Sequence, residues 1–186
     1  TIQVTIEGAS TWDNGTGQVS ATTIDVPATD VSGNSLTVKT GGLSLSANPS
    51  YTAQTVVAPL TAYKLASFNL VANTTEAINL TAINVTLDDV SSYASNLYVK
   101  YGTKTTSVKP TVAVSNTWSI NEVLAAGVTI PIEVYVDVSS LAISGDGVAT
   151  VDVDGTTVSS ATSADTTPVT TGQTINFTSG TFTSAF

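Results

Sequence analysis

The stretch AYKLASFNLVANTTEAINLTAINVTLDD, Ala62 to Asp89, decides how the rest of the chain is read. Ala66, Phe68, Leu70 and Ala72 fall on one face of an extended segment, with Ser67 and Asn69 on the other. Alternation with a period of two is the pattern of a half-buried strand. Asn73-Thr74-Thr75-Glu76 interrupts it with turn-forming residues. The return segment alternates through Ile78 and Leu80, then shifts phase to Ile83, Val85 and Leu87. A one-residue shift turns side chains to the wrong face unless the strand absorbs an extra residue, so a β-bulge is expected near Ala82 and Ile83. The alternative is a strand that passes from one sheet to the other at a bend. Together the two segments read as a hairpin.

Outward from this stretch the same signal recurs. Ile130, Ile132, Val134, Val136 and Val138 alternate with Glu133, Tyr135 and Asp137, and Leu97, Val99 and Tyr101 form another alternating run. So do Leu43 with Leu45, Val112 with Val114, and Ala149, Val151 with Val153. The one helix-like segment is NEVLAAG, with Asn121 as cap and Gly127 as stop, barely two turns long. About a dozen short strands separated by turn signals predict an all-β, two-sheet β-sandwich of Ig-like or jelly-roll-like type. The chain opens on TIQVTIEG, which places Ile2, Val4 and Ile6 on one face. It is read either as an ordinary first strand or as a donor strand that completes the sheet of a neighbouring copy. The domain reading is a terminal strand at 1–8 and a single sandwich at 9–186, with a central module at about 42–140.

Composition narrows the function classes. Of 186 residues 41% are hydrophobic and 10% charged, and the net charge is −9 with five basic residues, all lysine. Nucleic acid needs clustered cations to neutralise phosphate, so no nucleic-acid partner is expected. Lys100, Lys104 and Lys109 fit an exposed sheet edge, where lysine discourages unwanted pairing. Histidine and cysteine are absent, which removes Ser-His-Asp and Cys-His catalysis and the imidazole and thiolate metal ligands. Glu76, Glu122 and Glu133 are the carboxylates an acid–base pair would draw on, and they read as turn, short-helix and outward-strand residues. No enzyme and no cofactor are expected.

Calcium has weak candidates in Asp152 and Asp154, with Asp146 nearby, but the spacing of an EF-hand loop is missing. Asn-x-Ser/Thr triplets occur at Asn14, Asn73, Asn79, Asn84 and Asn176, the candidates for glycosylation. Lys64 is the candidate for an internal Lys–Asn isopeptide crosslink. Trp12, Tyr51, Tyr63, Tyr98 and Tyr135 are the rings a carbohydrate platform would use. A chain that opens at Thr1 and lacks methionine reads as processed, which predicts secretion after signal-peptide removal. No apolar run reaches the ~20 residues that span a bilayer.

The segments LSLSANPSYTAQTVV, LASFNLVANTTEAINLTAINVTL, NLYVKYG and GVTIPIEVYVDVSS, between Gly42 and Ser140, carry a resemblance. They resemble the Ser/Thr-rich Ig-like sandwich modules of prokaryotic cell-surface proteins, over about half of the chain. The layout with a leading strand is also similar to biofilm-matrix fibre proteins (camelysin-like) and archaeal bundling pilins. That resemblance implies a homopolymer whose subunits donate a terminal strand, here Ile2, Val4 and Ile6, into the next copy. The protein's partners would be itself and other cells or surfaces. The alternative is a carbohydrate- or ligand-binding sandwich module or a surface-layer component.

Overall fold

The computed structural model describes residues 1–8, 15–16, 18–21, 23–24, 27, 29–139, 144–170 and 173–179. It divides into two compact units, Thr1–Lys39 and Thr40–Phe186. The first unit contains β1 (Thr5–Ile6), β2 (Gly15–Thr16), β3 (Thr23–Ile24) and β4 (Val31–Ser32). β1 pairs antiparallel with β4, and β2 with β3.

The second unit contains β5 (Leu43–Ala47), β6 (Gln54–Ala58), β7 (Leu60–Ala72), β8 (Ile78–Leu87), β9 (Ala94–Tyr101), β10 (Lys104–Thr105) and β11 (Lys109–Thr111). It continues with β12 (Ser115–Leu124), β13 (Thr129–Val138), β14 (Ser144–Gly147), β15 (Ala149–Thr157), β16 (Val169–Thr170) and β17 (Ile175–Ser179). One antiparallel sheet runs β10-β9-β13-β7-β5, with β11 also on β9. A second runs β12-β8-β15-β16. A smaller sheet, β14-β17-β6, includes the parallel pair β17–β6.

The two larger sheets close on one core, and this unit is an all-β sandwich. From the first sheet come Phe68, Leu70, Ala72, Leu97, Val99, Ile132, Val134 and Val136, all fully buried. From the second come Ile78, Leu80, Ile83, Val85, Leu87, Val151 and Val153, also fully buried. Period-two burial along β13 and β15 is the physical content of the alternation in the sequence. The small sheet adds Ile175 and Phe177, and Gly147 is required there. A Cβ at that position would lie 2.7 Å from Phe177 and 2.8 Å from Leu65.

Two expectations are corrected. β7 and β8 do not form a hairpin: they lie in different sheets, and the link 73–77 carries the chain across the core. Alternation looks the same in a hairpin and in an arch between sheets, because either way one face is buried. Within the link the Asn73 side chain accepts a hydrogen bond from the Thr75 N–H at 3.1 Å, a local turn that stops the strand.

Asn121–Leu124 is not a helix but the end of β12, with Glu122 opposite Leu80 and Leu124 opposite Ile78. Pairing there satisfies backbone groups of β8 that a helix would strand. Gly127, at φ +74°, ends the turn that follows.

The phase change in β8 resolves as a bulge. Against β15, Ala82 opposes Asp154 while Leu80 opposes Gly155, leaving Thr81 as the extra residue. Ile78 and Leu80 before it, and Ile83, Val85 and Leu87 after it, therefore reach the same core. Asp89–Ser92 forms one 3-10 turn.

Candidate functional site

Ile2, Val4 and Ile6 lie in a ribbon with residues 31–36. Thr5 opposes Ser32, Ile6 opposes Val31, Ile2 bridges Leu36, and the Gly33 N–H donates to the Val4 carbonyl at 2.8 Å. Directly opposed residues of antiparallel strands share a face. One face of the ribbon is thus Ile2, Val4, Ile6, Val31 and Leu36. The other carries the Thr5–Ser32 hydroxyl pair at 3.1 Å. All five aliphatic side chains are between 51% and 72% exposed. The segment read as an ordinary first strand or a donor strand is paired on one edge by its own chain, and its apolar face is exposed. Beyond it, the Asp30 carboxylate accepts a hydrogen bond from the Gly8 N–H at 2.8 Å.

A second concentration lies on the outer face of β7, β13 and β9, which the sequence kept apart. Tyr98 and Tyr135 are register partners, and their rings stack at 5.2 Å with planes 5° apart. The Lys100 ammonium sits 4.5 Å from the Tyr135 ring centre, and that of Lys64 4.9 Å from the Tyr51 ring. Glu133 accepts from Lys64 at 2.9 Å and from the Tyr135 hydroxyl at 3.0 Å. Tyr51 donates to the Lys64 carbonyl, and Tyr63 donates to Gln54 at 3.1 Å.

Partial burial and the bond to Glu133 push the Tyr135 phenol up to about 12. Burial, together with Tyr63, raises Tyr51 as well. Partial burial raises the Glu133 carboxyl, but hydrogen bonds from Lys64 and Tyr135 and the charges of Lys64 and Lys100 outweigh it. The net value is lowered. The Tyr135 ring is flanked by Tyr98 and Lys100, and the Tyr51 ring by Lys64, all of the same chain.

The remaining candidates do not converge. Asp152 accepts from Thr166 at 2.7 Å and Asp154 from Asn84 at 3.0 Å, while Asp146 is in β14 of another sheet. Among the described residues no group of three acidic, His or Cys side chains is placed to hold a metal. Glu76 accepts from the N–H groups of Gly41 and Ser159, at 3.2 and 3.1 Å, a bracing role. Glu122 pairs with Lys104 across from β12 to β10, and this contact raises the Lys104 ammonium.

Lys64 meets Glu133 and Tyr51, with no asparagine among its side-chain partners within the described residues. Asn73 and Asn176 are exposed, Asn84 is tied to Asp154, and the Asn79 side-chain oxygen is buried without a partner. Trp12, Asn14, Phe182 and Phe186 lie outside the described residues. Among the described residues no helix is long and apolar enough to cross a membrane.

No protein-family model matches the chain, and no curated protein matches it. Among the solved structures similar to the chain, two at low identity are as follows. One is AvmM, described as catalysing macrocyclization in alchivemycin A biosynthesis, at TM-score 0.42 and 8% identity, over 77% of this chain and 91% of that one. The other is a family 123 glycoside hydrolase from Clostridium perfringens, at TM-score 0.38 and 12% identity, over 75% of this chain and 28% of that one.

Proposed function

We propose that this chain is a structural subunit of an extracellular, pilus-like filament, an Ig-like or jelly-roll-like sandwich that polymerises with copies of itself through its N-terminal strand. The observation that supports this reading is the ribbon face of Ile2, Val4, Ile6, Val31 and Leu36, left in water. A contiguous apolar face on a two-stranded ribbon is marginal alone and calls for a partner surface. In this reading the protein is secreted, is not an enzyme and needs no cofactor. The exposed Asn73 and Asn176 are the sequons a glycosylating host would use. The test is removal of Thr1–Gly8: a folded sandwich that no longer assembles supports the proposal, and unchanged assembly overturns it.

A second reading, a carbohydrate-binding surface module, is favoured by the gathering of Tyr51, Tyr63, Tyr98 and Tyr135. It stands behind the first because the rings of Tyr51, Tyr98 and Tyr135 and the hydroxyls of Tyr51, Tyr63 and Tyr135 already have intramolecular partners. Calorimetric titration with soluble oligosaccharides decides it, since a Tyr135→Ala variant would lose any genuine binding.

A further inference from the structure

Resting on the filament reading, we propose that the outer edge of β12 is the acceptor onto which a second copy adds its N-terminal ribbon, β1 pairing against β12. Among the described residues β12 has one strand neighbour, β8, so the backbone donors and acceptors of about half of its ten residues face outward. At the other end of the same sheet the terminal strand, β16, has two residues. A long unpaired edge is a template for strand addition unless something blocks it. β1 likewise has one neighbour, β4. Joining the two edges therefore extends the sheet without breaking an existing pair.

The surroundings of β12 suit this occupant. Val108 and Val114 are more than half exposed beside it, and Val112, Ile120, Ile130 and Tyr101 are only partly buried against the core. The ribbon's apolar face would cover such side chains, while its Thr5–Ser32 face stays in water beside Thr117 and Ser119, both exposed. Charge adds little: of Lys100, Lys104 and Lys109, on β9, β10 and β11, Lys104 is paired with Glu122 of β12 itself and Lys100 lies opposite Glu133.

The chain has no cysteine among its 186 residues, which makes crosslinking clean. A tagged Thr5→Cys protein is mixed with untagged Ser119→Cys protein under oxidised glutathione, and in parallel with Ser44→Cys on the β5 edge. Disulfide formation needs Cβ atoms within ~4.5 Å, so the β12 pair is expected to yield at least about tenfold more mixed dimer than the β5 pair. Equal yields, or more product at β5, overturn the β12 assignment and leave the filament reading standing. Polymer in the wild type with no mixed dimer at Ser119 overturns it in the same way. A wild type that stays monomeric at every concentration overturns both.

Discussion

Replacing Ile2, Val4 and Ile6 together with serine separates assembly from folding. Each of these side chains keeps more than half of its surface in water in the single chain. Burying an aliphatic side chain completely is worth about 1.5–3 kcal/mol, so covering the exposed part yields about 1–2 kcal/mol each. The three sum to about 3–6 kcal/mol, a weakening of self-association by roughly 10²- to 10⁴-fold. The sandwich core uses none of them. The main thermal transition should therefore move by no more than about 2 °C. Sedimentation velocity across a concentration series, with scanning calorimetry on the same samples, reads both quantities. A triple variant that assembles like the wild type refutes the reasoning, and so does one whose sandwich transition collapses.

Phe68→Ala removes a fully buried ring between the sheets and should destabilise by about 3–5 kcal/mol in urea titration, with assembly lost only as folding is lost. Glu133 has its carboxyl lowered on folding, so its contribution is present above its unfolded value of ~4.3 and disappears as pH falls through the folded one. The wild type should exceed Glu133→Gln by up to ~1 kcal/mol near neutrality and converge with it in acid. Tyr135 moves the other way: its phenol is raised from 10.0 to about 12, so stability holds below pH 10 and is lost as pH rises toward 12. Denaturation curves for Tyr135→Phe should fall less steeply across that window. Asn79→Val replaces a buried acceptor that has no partner and should be neutral or stabilising by up to ~1 kcal/mol in the same titration.

The strands with one buried face were legible because alternation records burial directly. β13 and the second half of β8 follow it residue by residue. Even the bulge at Thr81 was readable within a residue, since the phase of the apolar set is a local property. Pairing was not legible. Whether β8 returns beside β7 or crosses to the facing sheet depends on contacts far along the chain, with β12 and β15. Asn121–Gly127 carried a cap and a stop in its letters, but pairing with β8 outweighed so short a helical signal. The tyrosine cluster was invisible for a related reason. Tyr98 and Tyr135 meet through the register of β9 and β13, which no short window contains. The leading strand was visible as an apolar ribbon, while its pairing with Val31–Ser32 depended on a distant register.

Negative-stain electron microscopy of the purified, untagged chain at rising concentration is the most direct test of self-assembly through the N-terminal ribbon. The account predicts uniform filaments in the full-length protein and none once Thr1–Gly8 is removed. Dispersed single particles at every concentration, from a protein that calorimetry shows to be folded, would contradict it.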